Sequence, residues 1–181
     1  MRALVTGGKG FVGKHLVRAL AARGDEVVSF DLGAGDFARE ARIRSEVGDL
    51  RDAAALGRVT EGVDAVFHVA SRVQTRQTGA DEVRDVNVGG TEKLLDACRA
   101  HEVARFVYVS SASVVYGGRD IENGDETLPY PAHFHAPYAE TKAIAERLVL
   151  EASGKCGVLT CAIRPHIGFG PGDTRFFPAV L

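Results

Sequence analysis

The first thirteen residues restrict this chain to few folds. Ala3-Leu4-Val5-Thr6 is a short apolar run that breaks directly into Gly7-Gly8-Lys9-Gly10, and an apolar helical period then runs from Phe11 to Ala22 through Gly13. Strand, glycine turn and helix start, in that order, aim free backbone N–H groups and the positive end of a helix dipole at one point, where a pyrophosphate fits. Gly7 allows the tight bend, Gly10 the approach of a phosphate to the backbone, and Gly13 the packing of helix on strand, with Phe11 and Val12 between them on the same helix start. The spacing is G-x-x-G-x-x-G, a pattern that also fits an ordinary strand–helix turn.

The next apolar run supplies a second point. Glu26-Val27-Val28-Ser29-Phe30 ends in Asp31, about twenty residues past the glycines. An acid at that strand tip is placed to accept the two ribose hydroxyls of an adenosine and to repel a 2′-phosphate, which selects NAD over NADP. The competing reading of Asp31 is a solvated loop acid.

Apolar strand-like runs at 2–6, 26–31, 43–47, 64–69, 104–109 and 158–163 alternate with helical patterns at 11–23, 52–58, 80–101 and 136–153. The runs look buried on both faces, as parallel strands are. Repeated alternation of this kind predicts an α/β fold, a doubly wound parallel sheet of Rossmann type with strand order 3-2-1-4-5-6 and the cofactor crevice beside the first strand. The 181 residues suffice for one such domain, taken as 1–172. A long irregular stretch, 112–135, carries Gly117, Gly118, Gly124, Pro129 and Pro131 and reads as a functional loop. After a turn at 168–173, Asp173 or Thr174 is placed to cap a further helix beginning near Phe176, so 173–181 reads as the start of a second lobe in a truncated chain.

Charge and cysteine content narrow the partners. A net charge of −2 provides no basic field for nucleic acid. No apolar run has the length of a membrane-spanning helix, and Met1-Arg2 leads straight into a strand without a signal-peptide pattern. Three cysteines without metal-ligand spacing point to a reducing, cytoplasmic setting. Cys98 and Cys161 fall in helix and strand patterns and are expected as small core residues.

The chemistry is carried by Tyr138-Ala-Glu-Thr-Lys142. Residues four apart share a helix face, so an ammonium stands beside a phenol, favours the phenolate and brings a poor acid–base group toward working pH. Pro137 suits the first helical position. Ser111, at the end of the run Val107-Tyr108-Val109, is the candidate to hold a substrate oxygen, with Ser110 as the fallback. His133 and His135 alternate like a metal pair, but no third ligand has suitable spacing, so no metal site is expected. His68 reads as a buried, hydrogen-bonded residue, the charges at 39–46 as a solvated edge, and Arg72 and Arg76 either as surface charges or as contacts for an anionic substrate group.

Together, Thr6 to Gly13, Gly48-Asp49-Leu50, Asn87-Val-Gly-Gly-Thr91, Ser110-Ser111-Ala112, Tyr138-x-x-x-Lys142 and Arg164-Pro165 through Gly172 resemble the extended short-chain dehydrogenases/reductases. Within that superfamily the chain is most similar to the 3β-hydroxysteroid dehydrogenase group and its sterol-4α-carboxylate 3-dehydrogenases, through Ser110 to Gly117, Asp120 to Gly124, Tyr138 to Glu146 and Ala162 to His166. The resemblance implies that Tyr138 is the general base in oxidation, that Lys142 lowers its pKa and binds the nicotinamide ribose, and that Ser111 holds the substrate oxygen. It further implies that Asp49 and Leu50 flank the adenine, that Val69, Ala70 and Ser71 line the cofactor, that Pro165 and His166 lie near the nicotinamide, and that Asn87 is structural or a solvent relay. The substrate would be a small molecule, sterol-like or a sugar nucleotide. On a 4α-carboxysterol, oxidation at C3 gives a β-keto acid that loses carbon dioxide without a metal. The resemblance also implies a homodimer built on two long helices and a C-terminal substrate lobe, missing here. A nucleotide-sugar 4-epimerase of the same superfamily and a non-catalytic NAD-binding fragment are the alternatives; Ala112 and Ser113, where a dehydratase would carry an acid, disfavour a dehydratase.

Overall fold

A computed structural model describes residues 1–73 and 79–173. Arg76, Thr174 and the expected helix near Phe176 lie outside the described residues. The elements, in chain order, are β1 (Arg2–Thr6), α1 (Phe11–Ala22), β2 (Glu26–Asp31), β3 (Ile43–Val47), α2 (Ala53–Thr60), β4 (Ala65–His68), α3 (Ala80–Arg84), α4 (Gly90–Ala100), β5 (Arg105–Val109), α5 (Pro137–Ala152) and β6 (Leu159–Ile163). All strand pairings are parallel and the order is β3-β2-β1-β4-β5-β6, the doubly wound arrangement read from the alternation of apolar runs.

The central strands are apolar on both faces because helices cover both. Along β1, Ala3 and Val5 pack with Val27, Phe37, Val17 and Leu20 on the α1 side, and Leu4 points the other way into the larger core beneath α2, α4 and α5. That larger core joins Val66, Phe106 and Tyr108 of the sheet to Leu56, Leu94, Cys98, Ala145 and Val149 of the helices.

The expectation of strands buried on both faces fails at the two edges. β3 has no fully buried residue, and β6 alternates between exposed and half-buried side chains, because each has a neighbouring strand on one side only and incomplete helix cover. Cys161 lies on the open face of β6 and is exposed, which corrects its assignment to the core; Cys98 is buried as expected.

The helical pattern at 80–101 is real but not uniform. Between α3 and α4, Asp85–Gly89 form one turn of π-helix, in which the N–H of Gly90 reaches back five residues to the carbonyl of Asp85. Such a turn inserts one residue and widens the helix locally. The stretch at 112–135 is largely irregular, with one short 3₁₀ turn at Ala112–Val115.

Two glycines of the first turn are sterically required. Gly7 has φ +72, which an L side chain rarely adopts. A Cβ on Gly13 would lie 1.9 Å from the carbonyl oxygen of Gly7. Gly13→Ala should therefore destabilise the domain by ~1–3 kcal/mol, the usual cost of forcing extra volume into a packed contact; urea unfolding followed by circular dichroism measures this, and an unchanged midpoint contradicts it.

Candidate functional site

The glycine turn sits where β1 ends. Gly7 N–H bonds to the carbonyl of Phe30 (2.8 Å) and Gly10 N–H to that of Gly7 (3.0 Å), so the turn is tied to β2 and closed on itself. Gly10 caps α1 without a side-chain hydrogen bond, and the first turn of α1 contains no acid. The leading N–H groups of the helix thus receive no charge or cap from the chain, the condition an anion needs. A Cβ on Gly10 would meet only the Gly7 carbonyl, at 3.1 Å, so the other side of this residue is open for a phosphate. Half-buried Asp31 stands at the tip of β2 with one carboxylate oxygen on the N–H of Lys9 (3.0 Å) and the other on that of Leu32 (2.8 Å). Cradle, open helix end and adjoining acid together fit an adenine dinucleotide that lacks a 2′-phosphate.

The loop after β4 forms a neighbouring wall. Gly7 lies against Ala70, close enough that a Cβ on Gly7 would be 2.7 Å from the Ala70 backbone. Val69 N–H bonds to the carbonyl of Thr6 (3.2 Å) and Ala70 N–H to the hydroxyl of Thr6 (3.3 Å); Ser71 follows, half-buried. On the β3 side, Arg51 grips the Asp49 carboxylate with its side chain, at 2.6 to 3.1 Å, and holds that carboxyl below the usual range. Asp49 thereby fixes its own loop, and Leu50 is buried in the main core.

A chain of buried polar groups crosses the strand ends. Thr91 Oγ1 donates to the carbonyl of Asn87 (2.6 Å), so it accepts from His68 Nε2 (2.9 Å). His68 Nδ1 is then the acceptor for the Thr6 hydroxyl at 2.7 Å. Burial first, and the Lys142 charge second, push the imidazole down to about 3, so it stays neutral. From the π turn, Asn87 donates to the hydroxyl of Thr141 (3.0 Å) and brackets Arg72, accepting from its N–H (2.7 Å) and donating to its carbonyl (3.0 Å). The Arg72 side chain is engaged by Glu82 at 2.9 Å.

α5 starts with Pro137 at its first position and carries Tyr138, half-buried, and Lys142, fully buried, one turn apart. The Lys142 ammonium donates to the carbonyl of Val109 and lies 4.2 Å from the centre of the Tyr108 ring. Burial pulls Lys142 down to about 7, and Glu146 pulls the other way. Tyr108 is pushed up by its own burial and by neighbouring Tyr138 and Glu146.

Ser111 Oγ accepts from the N–H and hydroxyl of Ser113, at 3.2 and 2.9 Å, and is half-buried. Ser110 is buried, with its hydroxyl near Glu146 and no hydrogen bond of good geometry, so Ser111 is the serine available to a ligand. Pro165 runs beside it, its carbonyl accepting from Ala112 N–H (3.0 Å), and His166 next to it is exposed. The chain then returns to α1, where Lys14 donates to the carbonyl of Gly172 (2.9 Å) and His15 reaches that of Pro171 (3.0 Å). His135 sits against Tyr116, ring centres 6.1 Å apart; among the described residues no three His, Cys, Asp or Glu side chains form a metal-holding group. No described helix is long and apolar enough to cross a membrane.

Tyr130, Glu146 and Arg164 join through hydrogen bonds that no motif in the sequence marks. The available signal was Glu146 itself, an acid on the buried stripe of α5 with Ala139, Lys142, Ala143 and Val149, where a charge requires a partner.

Doubly wound sheet, glycine cradle and Tyr–Lys helix define the architecture of a short-chain dehydrogenase/reductase. Residues 4–181 match the 3-beta hydroxysteroid dehydrogenase/isomerase family, and the chain belongs to that family. It is 46% identical over 182 residues to the 3 beta-hydroxysteroid dehydrogenase/Delta 5→4-isomerase of Mycobacterium tuberculosis, covering 97% of this chain and 49% of that protein. It is 41% identical to short-chain dehydrogenase/reductase family 42E member 1 of Bos taurus, covering 98% and 48%. The chain thus spans about half the length of these curated relatives. Among solved structures it superposes on MoeE5 in complex with UDP-glucuronic acid and NAD (TM-score 0.87, 35% identity, 100% of this chain and 60% of that one). It also superposes on a DesIV double mutant, a dTDP-glucose 4,6-dehydratase of Streptomyces venezuelae with NAD bound (0.85, 34%, 94% and 57%).

A buried lysine with a lowered pKa costs stability while it is charged. Below about 7 the cost is complete; between there and its ordinary 10.5 the unfolded chain holds a proton that the folded chain has released, so stability rises with pH. Lys142→Met should flatten that rise, read from denaturant midpoints at several pH values. A variant that keeps the wild-type slope refutes this assignment.

Proposed function

We propose that this chain forms the cofactor-binding and catalytic half of an NAD-dependent dehydrogenase that oxidises a secondary alcohol of a 3β-hydroxysteroid-like substrate to the ketone. The observation that carries the reading is Lys142: an ammonium buried at the end of β5, one helical turn from Tyr138. Family membership and the names of the relatives support the substrate class.

The backbone from Gly7 to Gly13, with Phe11 and Val12, would hold the pyrophosphate; Asp31 would take the adenosine ribose, the loop of Asp49 and Leu50 the adenine edge, and Val69, Ala70, Ser71, Pro165 and His166 the remaining length. Bound NAD supplies the hydride acceptor. Ser111 would accept or donate a hydrogen bond at the substrate oxygen. Tyr138 would remove the carbinol proton, because the Lys142 charge one turn away favours its phenolate. Asn87 and Thr141 fix the first turn of α5: Thr141 donates to the carbonyls of Pro137 (2.8 Å) and Tyr138 (3.0 Å) while accepting from Asn87.

Two measurements test this. Tyr138→Phe should bind NAD as the wild type does in calorimetry and lose ~10²–10⁴-fold in turnover of a 3β-hydroxysteroid, followed as NADH absorbance. Absence of turnover both before and after the change overturns the dehydrogenase reading and leaves a binding module, equal measurable turnover removes Tyr138 as the base, and NADH release with a UDP-sugar in place of the steroid redirects the substrate class. Asp31→Ser should narrow the preference for NAD over NADP by at least ~tenfold, since a like charge no longer faces the 2′-phosphate; an unchanged ratio removes Asp31 from the cofactor site.

A further inference from the structure

The most demanding group that the proposed reaction leaves idle is Glu146. Its side chain is fully buried on α5, one turn after Lys142. One carboxylate oxygen, Oε1, accepts three hydrogen bonds: from the Tyr130 hydroxyl (2.7 Å) and from Arg164 Nε (3.0 Å) and Nη2 (2.6 Å). The other, Oε2, is buried without a hydrogen-bond partner among the described residues. The Tyr130 ring is flanked by two guanidiniums, with Arg147 4.3 Å and Arg164 5.5 Å from its centre. A full negative charge with one oxygen unsatisfied is expensive to bury, and a helix surface offers Gln or Leu in its place. The arrangement therefore calls for a reason beyond packing.

We propose that Glu146 is a positioning residue: clamped by Tyr130 and Arg164, its carboxylate stands one helical turn from Lys142 as the opposite charge and fixes the chain segments that frame Tyr138. This rests on the dehydrogenase reading above. Four segments meet at the one carboxylate. α5 brings Tyr138 and Lys142; the end of β5 brings Ser110, next to Ser111; β6 leads through Arg164 into Pro165 and His166; and Tyr130 anchors the loop from Tyr116 to Ala136. Beyond the Val109 carbonyl and the Tyr108 ring face, the other titratable groups facing Lys142 carry no negative charge to oppose it. His68 on β4 is neutral, Tyr108 on β5 is a protonated phenol, and Tyr138 on α5 must itself be influenced by the lysine. Glu146 is the carboxylate that raises Lys142 against the pull of burial. Burial drives the Glu146 carboxyl up, but hydrogen bonds from Arg164 and Tyr130, with the Ser110 hydroxyl nearby, outweigh this and keep it below the usual range, so the charge persists at neutral pH. Burial and Glu146 act on Lys142 in opposite directions, so removing the carboxylate leaves the pull of burial unopposed.

The test compares Glu146→Gln, which keeps shape and an acceptor oxygen, with Glu146→Asp, which keeps the charge. The Lys142 titration is followed by NMR with ¹³C-labelled lysine, and turnover, KM and pH profile are measured beside it. In Glu146→Gln, Lys142 should release its proton at least ~1 pH unit earlier, a tenfold loss of proton affinity. Turnover should fall at least ~tenfold with a narrowed pH optimum and nearly unchanged KM for NAD, and Glu146→Asp should recover most of both. If Glu146→Gln does not fold, Glu146→Gln with Arg164→Met removes the guanidinium left without its carboxylate and carries the same expectations. A folded variant whose Lys142 titrates as in the wild type overturns the proposal. That readout needs no turnover, so a chain without dehydrogenase activity would defeat the functional reading and still decide the role of Glu146.

Discussion

The Lys142 ammonium, held against the Val109 carbonyl and the face of Tyr108, sets the terms for the surrounding structure. A charge without bulk water must be met by oriented dipoles, aromatic faces and an opposite charge. β5 accordingly supplies a terminal carbonyl and a large aromatic ring. α5 supplies small residues on its inner side, Ala139, Ala143, Ala145 and Ala152, so that the helix lies close enough to the sheet for the lysine to reach it. Glu146 completes the arrangement one turn further on.

A second network gives this neighbourhood its stiffness. Thr6, His68, Thr91, Asn87 and Thr141 link the end of β1, the end of β4, the π turn and the first turn of α5 through buried hydrogen bonds. Each donor and acceptor in that path is assigned by its neighbour, which fixes the histidine tautomer as well as the distances. The end of β1 that leads into the glycine turn and the helix bearing Tyr138 are therefore joined by one path of buried hydrogen bonds, although they are far apart in sequence.

How much of this was visible in the residues follows from the period of each signal. Central parallel strands are apolar on both faces and short, so β1, β2, β4 and β5 stand out, and the glycines between Thr6 and Phe11 mark the turn. Tyr138 and Lys142 are legible because helical spacing alone puts them together. The charges Arg44 and Glu46 marked the β3 side as a solvated edge, but the β6 edge was misread, since Leu159 to Ile163 has the composition of a buried strand and only the sheet order reveals that it lacks a neighbour. That is why Cys161 belongs to the surface. The π turn left no clear mark in a helix whose apolar period continues through it. The clamp on Glu146 was out of reach because Tyr130 comes from irregular chain and Arg164 from the end of β6, and no local spacing connects them.

The π turn at Asp85–Gly89 has a consequence for how this helix can vary. One surplus residue per turn offsets the two halves by roughly 100° from where a regular helix would place them. α3 can thus present Val83 to the core while α4 presents Leu94, Leu95 and Cys98 in a different phase, with Asn87 turned inward at the seam. Length in this segment is as constrained as composition: losing a single residue would restore the ordinary pitch and swing one half of the helix out of register with the sheet, even if every side chain in contact were retained.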